Sequence, residues 1–168
     1  MAQKYIIQEG GLLKEKEAIV TSSGGTSGGS VIALDATGKL DQSVLPPGIG
    51  ADTAEVEAGE DLSAGDIINI YDDAGTPKVR KADATSSGKE AHGFVLDAVT
   101  SGANATVYFE GTNNQLSGLT AGVLFLSTTA GATASTAPSG SGNVVQRLGV
   151  ANSATAMNFE ATQPIVLA

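Results

Sequence analysis

The sequence predicts an all-β protein, a small β-barrel or sandwich domain with an extended N-terminal arm. From Thr53 onward, short runs rich in Val, Ile, Thr and aromatic residues alternate with turn-forming Gly, Asp and Asn at close spacing, the pattern of closed or two-layered β structures. Beyond residue 50 no stretch keeps apolar residues at helical spacing for three turns. Before residue 50 the apolar residues come in small groups separated by TSSGGTSGGS at 21–30, which reads as a flexible linker rather than part of a core.

The arm comes first in the chain. It opens on an apolar patch of Tyr5, Ile6, Ile7, Leu12 and Leu13, followed by the mixed-charge run from Lys14 to Glu17 and by Ala18, Ile19 and Val20. After the linker, Val31, Ile32, Leu34, Leu40, Val44 and Leu45 are spaced by polar residues, with a turn predicted at Asp35-Ala36-Thr37-Gly38 and a stop at Pro46-Pro47-Gly48. Residues 1–47 therefore read as an arm whose apolar side chains need a partner surface, and residues 48–168 as the barrel domain. Fully extended at about 3.3 Å per residue, such an arm would reach about 150 Å.

In the barrel domain strands are expected at 53–58, 66–71, 78–82, 91–99, 105–109, 123–127, 132–137, 144–151, 156–159 and 165–167. Asp73-Ala74-Gly75, Ser101-Gly102 and Ala130-Gly131 supply turns. An internal echo runs through the domain. SAGDIINIYDDAG at 63–75 resembles TAGVLFLSTTAG at 120–131, and HGFV at 92–95 resembles LGVA at 148–151, at a common offset of 56–57. This predicts a duplicated strand–turn–strand–strand unit, two copies of which close one small barrel because neither buries its apolar face alone.

A chain of 168 residues accommodates one ordinary domain and an appendage. With 22 Gly, no Trp and only seven aromatic residues, the core is built from Val, Ile, Leu and Ala. Each of these removes little apolar area from water at about 25 cal/mol per Å², so self-association is expected to supply part of the stability. The net charge of −9 falls almost wholly on residues 51–168, which carry −8. That balance opposes phosphate binding, and no nucleic acid partner is expected. The basic group Lys78, Arg80 and Lys81 reads as a solvated strand face balanced by Asp72, Asp73 and Asp83. No apolar run approaches the roughly 20 residues of a membrane span, and MAQKYIIQEGG lacks the apolar centre of a signal peptide. No membrane partner and synthesis in a cytoplasm are therefore expected.

No residue pattern points to catalysis. There is no Cys for thiolate or disulfide chemistry, and the single histidine, His92, has no nucleophile motif beside it. Glu60-Asp61 and Asp72-Asp73 lack the alternating spacing of a calcium loop and the aromatic cleft of a glycosidase. Asp72 and Asp73 read as turn residues. Gly24-Gly25 and Gly28-Gly29 have no following Lys and no strand-to-helix frame, so no phosphate cradle is read there. The expectation is a non-enzymatic protein with no cofactor and no metal.

VIALDATGKLDQSVLP at 31–46 resembles segments of the form I-x-x-L-D-x-x-G-K-L-D-x-S-L-L-P in virion proteins of tailed bacteriophages. The strings LSAGDIINIYDDAGTPKVRKADA, EAHGFVLDAV, TVYFEG, LTAGVLFLSTTAG and VVQRLGVANSATAMNFE resemble the small β-barrel domains of phage capsid decoration (cement) proteins and related fibre modules. The resemblance spans residues 31–168 and implies a place on the outer capsid surface of a virion, as a homotrimer bound to the major capsid protein and stabilising the head. Tyr5, Ile6, Ile7, Leu12, Leu13, Ile19, Val31, Ile32 and Leu34 are then the expected capsid-binding residues of the arm. A head-fibre or tail-fibre module for host adhesion is the alternative. It is disfavoured by the lack of heptads and the scarcity of aromatics for a glycan site.

Overall fold

The computed structural model describes residues 3–45 and 50–168. The predicted stop at Pro46-Pro47-Gly48 and the 47/48 boundary lie outside the described residues. The chain divides after Gly50 into two compact units. Strands are the main regular structure of both, and the only helical turns among the described residues are two short 3-10 segments.

In the first unit, β1 (Lys4–Glu9) and β2 (Leu12–Glu17) form an antiparallel hairpin. Gly10 and Gly11 connect them with φ of 61° and 79°, the doubly positive geometry of a two-residue turn that matches strand twist. The arm is thus not one extended strand; it doubles back at Gly10, which shortens its reach. A parallel bridge joins Ile19 to Ile32, with Ile19 N–H donating to Val31 O at 3.0 Å and Ala33 N–H to Ile19 O at 2.8 Å. The predicted linker contains a 3-10 turn at Gly24–Ser27 held by its own side chains. Ser23 N–H donates to Ser27 Oγ at 2.8 Å, and the Thr26 hydroxyl donates to Ser23 O at 3.1 Å.

The second unit contains two five-stranded sheets. β3 (Thr53–Ala58), β4 (Ile67–Asp73), β5 (Thr76–Lys81), β6 (Gly93–Val95) and β7 (Asn104–Tyr108) close a barrel in the order β3-β5-β4-β6-β7. β8 (Gly111–Asn113), β9 (Gly122–Leu126), β10 (Thr133–Ala134), β12 (Arg147–Ala151) and β13 (Met157–Phe159) form a sheet in the order β10-β9-β12-β13-β8. β11 (Val144–Val145) pairs separately with β14 (Ile165–Val166). Cutting the barrel between β3 and β5 gives the order β5-β4-β6-β7-β3, which matches the second sheet strand for strand. Registers agree as well. Ile68 opposes Gly93 and Leu124 opposes Gly149, both pairs displaced by 56 residues. The echo is therefore a structural duplication, with a correction: the copies do not jointly close one barrel. The first closes alone, and the second lies against it as an open sheet.

The physical reason is two-faced burial in the first copy. Successive strand residues point to opposite faces. Ile68 and Val95 turn into the barrel with Val79, Ala105 and Val107. Their neighbours Ile67 and Phe94 turn outward into a second cluster with Leu124, Leu126, Leu148, Met157 and Phe159. Buried faces on both sides explain why β4 reads as the near-continuous run IINIY rather than an alternating one. Phe94 stacks on Tyr108 at 5.4 Å between ring centroids and meets Phe159 at 5.5 Å in a tilted contact.

Buried polar groups lock the copies together. The Gln146 Oε1 accepts from Ala91 N–H at 2.7 Å, while its Nε2 donates to Ala91 O at 3.0 Å and Thr162 O at 3.1 Å. The predicted strand at 144–151 breaks at this residue. The Asn113 Nδ2 donates to Gly65 O at 2.9 Å. β8, which carries Asn113, had no sequence counterpart, because Gly-Thr-Asn carries no apolar alternation.

The duplicated glycines Gly93 and Gly149 sit where a Cβ would collide with the next strand, 2.5 Å from Tyr108 O and 2.0 Å from Asn158 O respectively. Gly149 also has φ of 136°. Gly149→Ala is therefore expected to destabilise the protein by at least about 2 kcal/mol, from overpacking together with backbone strain. Gly102→Ala, where a Cβ meets nothing, is expected to cost about 1 kcal/mol through its positive φ alone. Urea unfolding of both variants checks the difference.

Candidate functional site

Among the described residues the β1–β2 hairpin is a sheet of two strands alone and offers side chains on both faces. Tyr5, Ile7 and Leu12 share one face with Glu9, Lys14 and Lys16; Ile6 and Leu13 share the other with Lys4, Glu15 and Glu17, as the register dictates. Ion pairs flank the apolar residues, Lys4 to Glu15 and Lys14 to Glu9 at 3.2 Å. These exposed pairs fix register more than they stabilise. Leu13 is 78% exposed, Leu12 67% and Ile6 63%, while Tyr5 and Ile7 are half-buried. A two-stranded hairpin open on both faces is marginal in water.

The remaining expected arm residues lie on the segments around the Ile19–Ile32 bridge. Ile19 is half-buried, Val31, Ile32 and Leu34 are exposed, and Ala33 between them is buried. Leu40 is exposed to a similar degree as Leu34. Two matched turns present these leucines. The Asp35 carboxylate accepts from Thr37 N–H at 2.8 Å, the Thr37 hydroxyl at 2.7 Å and Lys39 N–H at 2.9 Å. The Asp41 carboxylate accepts from Ser43 N–H at 2.9 Å and the Ser43 hydroxyl at 2.6 Å. The Leu-Asp-x-Thr/Ser pattern thus occurs twice, at 34–37 and 40–43, each time closing an Asx turn beside an exposed leucine. The Lys39 amide and Thr37 hydroxyl hold the Asp35 carboxyl below the usual carboxylate range, as the Ser43 hydroxyl and amide do for Asp41. The Ser43 Oγ also accepts from Ser22 N–H at 2.8 Å, tying the linker to the second turn.

Many titratable groups of the second unit are engaged in hydrogen bonds or ion pairs. The His92 Nδ1 accepts from Ile70 N–H at 2.9 Å, so its ring extends the β4 ladder past the end of β6. Asp72 accepts from Gly75 N–H at 3.1 Å, the turn role read from sequence. Glu60 accepts from Lys81 N–H at 2.7 Å and Asp61 from Ser101 N–H at 2.8 Å. Lys78 pairs with Asp73 at 2.8 Å and Glu57 at 3.4 Å, and these two carboxylates, Asp73 foremost, hold its ammonium above the usual lysine range. Lys81 pairs with Asp66 at 3.5 Å and Lys89 with Asp83 at 3.1 Å. Arg80 lies 4.5 Å over the Tyr71 ring and donates to Asn69 Oδ1 at 3.0 Å. Among the described residues no group of three or more His, Cys, Asp or Glu side chains is placed to hold a metal ion, and no helix is long and apolar enough to cross a membrane.

One concave feature escaped sequence reading. In the first copy, β3 and β5 close the barrel through the parallel pairs Glu57–Lys78 and Ala58–Val79. By the matched registers, the corresponding positions in the second copy are Leu116, Ser117, Ala132 and Thr133. These do not pair. They line a groove of about 580 Å³ between the β8–β9 connection and β10. No protein-family model, curated protein or solved structure matches this chain.

Burial pushes the Asp83 carboxyl up, but the Thr85 hydroxyl and amide and the Lys89 ammonium outweigh it and leave it below the usual range. Asp83, Asp35 and Asp41 are all depressed relative to the unfolded chain. Their stabilisation is fully present above about pH 4, the unfolded value, and is lost as pH falls through the folded values. The urea midpoint is expected to fall between pH 6 and pH 3, with a shallower fall in Asp83→Asn. Hydrogen exchange by NMR is expected to find the amides of 4–17 exchanging at least about tenfold faster than those of β4 and β7, since the hairpin has no covering layer.

Proposed function

We propose that this protein decorates the outer surface of a tailed-phage head, binding the major capsid protein as a homotrimer and clamping neighbouring capsid subunits. The observation that carries the reading is the concentration of exposed apolar side chains on the first unit, Ile6, Leu12, Leu13, Val31, Ile32, Leu34 and Leu40, on elements too thin to bury them. A solvent-facing protein gains nothing from that surface, whereas a protein that lays it on a partner removes it from water. The resemblance of residues 31–168 to decoration proteins supplies the partner. The hairpin's open strand edges suit addition to an exposed sheet edge of a capsid subunit. Several arms from one oligomer bind multivalently, so weak single contacts sum to durable attachment. The acidic second unit, at −8, then faces solvent, where like charge keeps particles apart.

Copy number and position on purified particles, measured by cryo-electron microscopy and gel densitometry, decide the reading. Hundreds of copies in threes across the shell are expected. A handful at one vertex or on the tail would replace it with the fibre reading. Removing residues 1–20 is expected to abolish decoration, and full occupancy by that variant would overturn the arm's role.

A further inference from the structure

We infer that the outer face of the second sheet is the contact between copies of this chain. The inference rests on the homotrimer reading and names the surface that holds the copies together. Charge is divided between the duplicated halves as sharply as closure is. Residues 51–110 hold twelve acidic and four basic side chains, whereas residues 111–168 hold one of each, Glu160 and Arg147. The net −8 of the second unit therefore lies wholly on the barrel copy. Two chains that meet barrel to barrel bring like charges together, and the second sheet is the side they can share without that repulsion. Depletion of charge also marks the buried centre of a protein interface against ordinary surface.

The duplication shows what this face lacks. In the first copy Ile67 opposes Phe94, and both are buried against the second sheet, at 0% and 1% exposure. The same register, 56 residues on, sets Val123 opposite Val150 in the second copy, and these stay exposed at 43% and 38%. Their row continues across the sheet through Asn158 and Thr112, both exposed and uncharged. The next row holds half-buried Phe125 beside Arg147. Val145 stands on the same side, because Val144 and Gln146 flanking it are buried, and exposed Ile165 pairs with it. A face with no carboxylate on its strands and one cation carries no charge pattern to select a different partner, whereas a second copy meets it with an equally uncharged face. Around a threefold axis three such faces turn inward and the acidic barrels outward. The contact uses none of the arm residues assigned to the capsid.

Val123→Asp combined with Val150→Asp puts like charges into the contact. By sedimentation equilibrium of the purified protein, the double variant is expected to need at least about a hundredfold higher concentration for half-assembly than the wild-type chain. Thr76→Asp, at an exposed position of the barrel, adds charge outside the face and is expected to change that concentration by no more than about twofold. A second measurement adds no charge. The chain has no cysteine, so Val150→Cys supplies a thiol read against no background. Its reaction with a maleimide is expected to slow at least about tenfold from dilute to assembling concentrations, while that of Thr76→Cys stays constant. Wild-type assembly by the double aspartate variant, or a Val150→Cys thiol that reacts equally fast at both concentrations, overturns the face and leaves the homotrimer standing. A wild-type chain that stays monomeric at every concentration overturns both, while decoration is read separately on particles.

Discussion

The contact between Phe94 and Phe159 holds the second unit together, because it is where the duplicated halves share what neither owns. Phe94 sits on the outer face of a barrel that has already filled its interior with Ile68, Val79, Val95 and Val107. Without the second sheet, Ile67 and Phe94 would be apolar side chains on a barrel's outer wall. The second sheet, lacking closure, has no interior at all except the one it makes against that wall. Each half thus supplies a face the other requires. Gln146, bonded on both sides of Ala91, fixes the register of the two sheets with a satisfied polar group in place of a purely apolar contact.

Small side chains make this arrangement possible and also limit it. Strands approach closely at Gly93 and Gly149, where even a methyl group would strike a carbonyl. The same scarcity of bulk leaves the first unit with a single buried hydrophobic residue, Ala33, among those described. Local bonding does there what a core does elsewhere. The Gly10-Gly11 turn, the serine-held 3-10 turn and the two aspartate turns each set backbone direction through hydrogen bonds within a few residues. The outcome is a unit whose backbone course is set locally and whose leucines stay uncovered.

The class of fold was readable because strand alternation and turn chemistry are local signals, and most expected strands of the second unit lie within two residues of those observed. The duplication was readable for the same reason, but its closure was not. Whether a sheet closes depends on pairings such as Glu57 with Lys78, and period-2 patterns locate strands without pairing them. The hairpin was missed although its signal stood in the sequence: Gly10-Gly11 between TyrIleIle and LeuLeu is a two-residue turn flanked by strand formers. The mixed charges of Lys14–Glu17 masked it, since an exposed strand shows no apolar alternation. The seam groove had no sequence signal at all, because it is the absence of a pair and is defined only by comparison with the closed copy.

The duplication also sets an order of events in synthesis. Every strand of the barrel lies before Phe109, and its closing strands β3 and β7 pair through Thr53 and Tyr108, so the first copy can complete its backbone pairing while the second is still being made. Its outer face cannot be covered then. Until Leu124, Leu148 and Phe159 emerge, the nascent chain carries Ile67 and Phe94 bare on a finished barrel. That interval, set by translation at about 5–20 residues per second, lasts seconds, and it is the time during which an unfinished copy is most exposed to association with its neighbours.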